Sequence, residues 1–344
     1  MKPLIRYASA IAVGTFAMSI GAVNSVYAQD LTQVEVMIPF PEGHSFSDLV
    51  IARANGYFAE QGIEVTSLVA DGGGFVGQQL VAGNAKFGII GAADIAVAYN
   101  RRNDVRVLFC GQVRNVYKIV ARADTGITSM EGLEGKALGY TEPGGGEAKI
   151  VHAAISEAGL EVNKSIDLIP IGPAGPASLV ALQNDTVQAY SSSYPDVAIL
   201  AASGIEWVDI TPERYSNVPG VCLVTTDEFM STEEGLKTAT ALSVGWMNGL
   251  YHVLANPEES FDTICEVVDG SCENMPVAEA FFAQSYSLFT PPEGQLPGAT
   301  STSSWDTVVS ILSGGGTVPA DLDLSPLLSG DNLQAVTDAM YAGR

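Results

Sequence analysis

Ile63-Glu64-Val65-Thr66-Ser67-Leu68-Val69 is followed by Ala70-Asp71-Gly72-Gly73-Gly74, and Phe87-Gly88-Ile89-Ile90 follows a short run centred on Val76-Gly77-Gln78-Gln79-Leu80-Val81. The first run, rich in Ile and Val, reads as a strand, the glycine cluster opens a helix around 76–81, and 87–90 reads as the next strand. Two strands joined by a helix run parallel, because a tight hairpin turn cannot connect them in that direction. The same alternation extends outward on both sides. Upstream, 34–38 is a strand closed by a turn cluster at 39–44, and 47–55 is a helix with Ser47 as N-cap and Gly56 beyond its end. Downstream come a helix at 95–100 and strands at 105–110 and 116–121. This rhythm predicts an α/β architecture, a parallel sheet covered by helices.

The rhythm then restarts. Residues 137–140 form a strand, Gly144-Gly145-Gly146 a loop and 148–158 an amphipathic helix. Strands at 166–169, 187–190 and 207–210 and a helix at 177–184 follow. After a strand at 221–225 the strand signals stop. Residues 232–344 read as mostly helical, with one long helix from 232 to 254 ended by Asn256-Pro257 and surface loops at 291–304 and 313–319. Two α/β units and a helical tail predict two lobes, with ligand-binding loops beyond the strand ends in the cleft between them.

The 344 residues carry 16 Lys and Arg against 39 Asp and Glu, a formal charge of −23, and 47% are apolar. Such a chain has ample material for a core, and its acidity excludes a nucleic-acid partner, which needs clustered cations. Lys2 and Arg6, the apolar run 7–23 and Val26-Tyr27-Ala28 before Gln29 read as a cleaved secretory leader, residues 1–28. Losing Lys2 and Arg6 with it takes the net charge from −23 to −25. Export from the cytoplasm, to a periplasm or beyond, is therefore expected, and no Cys at the cleavage site offers a lipid anchor. Cys265 and Cys272 bracket a short loop with Asp269-Gly270 and are expected to be bonded. Cys110 and Cys222 read equally as buried thiols or as a second bridge. His44, His152 and His252 are scattered and no paired CxxC occurs, so no metal site is expected.

Five segments sit after strands and lead into helix starts: 40–48, 71–74, 91–94, 141–146 and 191–196. Free N–H groups at such starts favour an anion or a carbonyl oxygen. Gly73, Ala93, Asp94, Thr141, Gly144, Gly145 and Gly146 are the candidates within them. Glu42, His44, Phe46, Arg114, Asn115, Tyr117 and Tyr194 are further candidate contacts. Arg114, between the two units, suits a carboxylate or sulfonate bidentately, or else an interlobe salt bridge. Tyr117 and Tyr194 suit stacking on a planar ligand, or core packing. His44, in a polar turn, reads as a surface residue. Gly72 to Gly77 fits G-x-G-x-x-G, but it follows the second strand, and nicotinamide cofactors are not stocked outside the cytoplasm. Walker A, G-x-S-x-G and H-E-x-x-H are absent, so neither a cofactor nor a catalytic apparatus is expected. The ligand expected is a small organic acid or sulfonate held by Arg114, or a pyrimidine whose amino group Glu42 reads.

Gly56-Tyr57-Phe58-Ala59-Glu60-Gln61-Gly62-Ile63-Glu64-Val65 resembles the GYFxxxGIxV signature of ABC-transporter substrate-binding proteins of the nitrate/sulfonate/taurine and NMT1/THI5-like family. Residues 80–89 resemble its LxxGxxDFGI segment, Leu133-Glu134-Gly135-Lys136 its entry to the second lobe, and 181–189 its aLxxGxvDA. Asn84-Ala85-Lys86 lacks the usual acid and Asn184-Asp185 replaces Gly, both outside the expected cleft. The resemblance implies a type II, Venus-flytrap fold with two crossing strands. Residues 29–115 then open the first lobe, 116–220 form the second, and 221–344 return to the first with a helical tail. It also implies a monomeric periplasmic carrier that hands a small ligand to an ABC permease. A pyrimidine-precursor enzyme and a periplasmic ligand sensor are the alternatives.

Overall fold

A computed structural model describes residues 31–344, which form one compact unit. The expected leader lies outside the described residues. The first unit runs β1 (Thr32–Ile38), α1 (Ser47–Ala54), β2 (Ile63–Val69), α2 (Gly72–Ala82), β3 (Gly88–Gly91), α3 (Ala92–Arg101) and β4 (Val105–Phe109). The second runs β5 (Tyr117–Arg122), β6 (Ala137–Tyr140), α4 (Gly146–Glu157), β7 (Asp167–Pro170), α5 (Pro176–Gln183), β8 (Ala189–Ser193), α6 (Tyr194–Ala202) and β9 (Trp207–Asp209). The chain then returns through β10 (Val221–Thr226) to α7 (Asp227–Met230), α8 (Glu233–Ala255), α9 (Pro257–Val267), α10 (Met275–Phe289), α11 (Thr302–Gly314) and α12 (Asp331–Tyr341).

Two five-stranded sheets result, in the orders β2-β1-β3-β10-β4 and β7-β6-β8-β5-β9. The βαβ units are parallel as expected: β1 pairs with β2 from Thr32↔Ile63 to Ile38↔Val69, and β6 pairs in parallel with β7 and β8. Each sheet is nevertheless mixed. β10 runs antiparallel between β3 and β4, and β5 runs antiparallel between β8 and β9. The reason is topological: β5 and β10 are the strands by which the chain enters one lobe from the other, and each arrives from the opposite end of its sheet. This is the two-lobe α/β fold, with two crossing connections, that the sequence predicts.

The crossing segments lie side by side. Gly220 N–H donates to Gln112 O at 2.9 Å, and Gln112 N–H to Val221 O at 3.4 Å. A side chain at Gly220 would strike the Gln112 carbonyl, so glycine permits this approach. Cys110 and Cys222 are bonded there across β4 and β10, which decides between the two readings left open for them. Cys265 and Cys272 form the expected bridge.

One core packs β1, β4 and β10 against α1, α8 and α12, with Trp246 buried against Phe58 and Phe109. A second core runs from β3 and α3 to α4 and β5. The tail, expected on the first lobe, is shared between the two. α8 packs on α1, but α10 touches α6, and α11 lies on both α3 and α4. Trp305, Val308, Ile311 and Leu312 of α11 are buried in the core that the seam between α3 and α4 provides. No helix among the described residues is long and apolar enough to cross a membrane.

Candidate functional site

The strand ends of the two sheets face one another across a cavity of about 530 Å³. Four of the five predicted loops put lining residues there through Asp71, Gly72 and Gly73; Gly91; Thr141, Glu142, Gly145 and Gly146; and Ser192 to Asp196. The fifth contributes only its first two residues, Phe40 and Pro41. Tyr117, at the start of β5, joins the wall, and the crossing segments add Gln112, Val116 and Val221. The glycines are there because the lobes nearly touch: a methyl group on Gly91 would fall 2.8 Å from the Tyr117 hydroxyl, and one on Gly72 2.5 Å from Glu142 Oε1.

Carboxylates are the only charged groups among the described residues of the lining. Asp71, Glu142, Glu147 and Asp196 face the cavity, and no Lys, Arg or His of the described residues lines it. Glu147 Oε1 accepts from the Thr141 hydroxyl and from Glu142 N–H at 3.3 Å. Burial pushes Glu147 up to about 7, backbone N–H groups pull against that, and Asp94 and Glu142 add to the rise. Glu142 is raised by burial and by Asp71 and Asp94. Asp196, raised by burial, accepts from Ser192 and from Ala174 N–H at 2.9 Å. Burial, with Asp94 and Glu147 nearby, also lifts the Tyr117 phenol well above its usual range.

Asp94 lies under the cavity floor, against Gly73 and Gly146. It is only 2% exposed, and Lys149 Nζ meets its Oδ1 at 2.8 Å, joining α3 of the first lobe to α4 of the second. Burial raises Asp94 while Lys149 opposes the rise. The same ammonium donates to the carbonyls of Gly144 and Gly145 at 3.2 and 3.1 Å. Asp94 Oδ2 has no hydrogen-bond partner among the described residues.

Of the residues singled out in the sequence, Gly73, Tyr117, Thr141, Gly145, Gly146 and Tyr194 line the cavity. Gly144 stands beside it against Gly74, and Tyr194 is anchored by Ser285 Oγ at 2.5 Å and Gln112 Nε2 at 3.3 Å. Ala93 and Asn115 sit behind the wall, where Asn115 Oδ1 accepts Tyr117 N–H at 3.0 Å. The others point elsewhere. Arg114 lies in a surface groove beside Ser216 and Thr300, its guanidinium on Ser287 O at 3.2 Å, because the turn between β4 and β5 directs it away from the cleft. Glu42 is held by Arg53 at 2.7 and 2.9 Å; burial would raise its pKa, but Arg53 outweighs this and lowers it. Phe46 is core, stacked on Phe40 at 4.8 Å. His44 is not at the surface: it is buried, stacked on Phe261 at 4.9 Å, with Nε2 3.5 Å from Cys272 Sγ. Its cluster with Cys265 and Cys272 is a poor metal site, since the disulfide occupies both sulfurs.

The residues that sequence reading missed are Asp71, Gln112, Glu142, Glu147 and Asp196. A signal for two of these acids exists: Glu147 and Asp196, like the predicted Asp94, each stand in the first turn of a helix that follows a strand end. An acid in that position puts negative charge at the helix start that was expected to hold a ligand anion.

Two sheets joined by paired crossings, with a cavity between their strand ends, define the periplasmic-binding-protein fold. Residues 44–260 match the family described as NMT1/THI5 like, and the chain belongs to it. Among solved structures, a protein of Bordetella bronchiseptica RB50 is 19% identical with a TM-score of 0.69, over 90% of this chain and 98% of that one. The alkanesulfonate-binding protein SsuA from Xanthomonas axonopodis pv. citri, bound to MOPS, is 13% identical with a TM-score of 0.64, over 87% and 99%. The periplasmic nitrate-binding protein NrtA from Synechocystis PCC 6803 is 15% identical with a TM-score of 0.61, over 90% and 86%. Among curated protein sequences none matches.

Proposed function

We propose that this protein is an extracytoplasmic solute-binding protein that encloses a small organic molecule between its lobes and presents it to an ABC permease. The observation that carries the reading is the cavity of about 530 Å³, built from both lobes at their strand ends and roofed where Gly72 and Gly74 meet Glu142 and Gly144. Such a space is large enough for a small ligand. The names of the sulfonate- and nitrate-binding neighbours support the same role. The leader-like residues 1–28 support export, and the closed form is the one a permease would receive.

An enzyme reading has less support. The cavity offers carboxylates, hydroxyls and phenols but neither His nor Cys among its lining residues. The test is reconstitution. The purified protein with its candidate ABC permease, in liposomes, should stimulate ATP hydrolysis only when loaded with its solute, and the solute should be recovered unchanged. Conversion of the solute by the isolated protein would replace the carrier with a catalyst.

A further inference from the structure

We infer that the solute is a small organic cation, an amine or amidinium on a flat or apolar body, seated with its charge against Glu142 and Glu147. The inference rests on the solute-binding reading and adds the sign of the ligand's charge. Four carboxylates face the cavity and no basic side chain of the described residues does. The nearest ammonium, Lys149, is spent on Asp94 and on two carbonyls. The helix starts that would otherwise welcome an anion hold Asp94, Glu147 and Asp196. A sulfonate or carboxylate would therefore enter as a further negative charge where water screens little.

One buried group asks for a donor. Glu147 is only 6% exposed, lines the cavity and has no cation in salt-bridge reach; its hydrogen bonds to the described residues all fall on Oε1, leaving Oε2 without a donor. A buried carboxylate oxygen left in this state is costly, and a ligand bearing N–H groups and positive charge relieves it. The apolar part of the ligand has Phe40, Tyr117, Val116 and Val221 to lie on.

The charged groups around Glu147 are Asp94 on α3, Lys149 on α4, Glu142 just before it, and Asp71 ahead of α2. The phenols of Tyr117, Tyr140 and Tyr190 complete its surroundings. Lys149 is the one cation among them and is already paired. A bound cation would draw protons off Glu142 and Glu147, so affinity should fall as the medium turns acid.

Calorimetry on the full mature chain, at pH 8 and low salt, tests this with matched probes. One set is benzamidine, benzamide and benzenesulfonate; the other is butylamine, butanol and butanesulfonate. The cation of a set should bind about tenfold more tightly than its neutral partner, the sulfonate should not bind, and the cation should weaken about tenfold by pH 5.5. Glu147→Gln should cut cation affinity about tenfold, and Asp71→Asn, at the exposed rim, should act in the same direction if the first variant misfolds. A sulfonate or neutral member that binds more tightly than its cation overturns the charge inference and leaves the solute-binding reading standing. If no member of either set binds, both fall.

Discussion

Asp94, Glu147 and Asp196 repeat one local device, an acid in the first turn of a helix that starts at the cleft. Sequence reading recognises the loops and their anion-friendly helix starts, but it assigns the anion to the ligand. What decides the matter is where the chain carboxylates point and what they meet, which depends on side-chain direction and not on spacing. The same limit explains Arg114, whose position between lobes is legible while its aim is not. Glu147 has a measurable cost. Its pKa rises from 4.5 to about 7 on folding, so between those values the folded state holds a proton that the unfolded chain releases. Stability contributed by that proton is full below pH 4.5 and is lost as pH rises through 7, a loss of about 3 kcal/mol for this group. Asp48, raised by burial to about 6, acts in the same direction over a narrower window. The ligand-free protein should thus melt at lower temperature at pH 8 than at pH 5, and Glu147→Gln should flatten the dependence. A melting curve that rises with pH would contradict this.

At the level of elements, the lobes are held by a few identifiable contacts. Lys149 reaches from α4 to Asp94 on α3, and removing it leaves a buried carboxylate without its partner. Lys149→Met should therefore disfavour the closed arrangement by about 3 kcal/mol, read as a larger radius of gyration of the ligand-free protein in X-ray scattering. An unchanged radius and melting temperature would show that the pair contributes nothing. α11 bridges the same seam with Trp305 fully buried, so Trp305→Ala should cost about 3–5 kcal/mol in chemical denaturation. The βαβ elements themselves were legible because period and punctuation are local properties. The place of α11 was not, since an amphipathic helix specifies that it must be covered but not by which neighbour.

For the whole molecule, the paired crossings near Gly220 and Gln112 are where a rotation of one sheet against the other would pivot. Saturating ligand should raise the melting temperature with the logarithm of its excess over Kd, and in Lys149→Met it should bring the enlarged radius of gyration back toward that of the unmutated protein. Ligand binding to that variant without compaction would mean that the lobes do not move. The two-lobe plan was legible from the restart of the strand–helix rhythm near residue 137. The mixed character of each sheet was not, because β5 and β10 take their direction from pairing partners far away in sequence. Export, if it occurs, predicts an intact mass for the mature protein that begins at Gln29 and falls by four hydrogens for the two disulfides.

The order of the cysteines along the chain has a consequence for biogenesis. Cys110 is joined to Cys222 and Cys265 to Cys272, so each cysteine is bonded to its immediate neighbour in sequence. If the chain is exported N-terminal end first into an oxidising space, every thiol waits only for the next one to appear. A simple oxidant acting in order of arrival yields the native set without reshuffling. The first bond can close only when β10 arrives, after the whole of residues 111–221, and it then seals the second lobe into a covalent ring, for which chain entropy predicts about 5 kcal/mol against about 2 for the short loop.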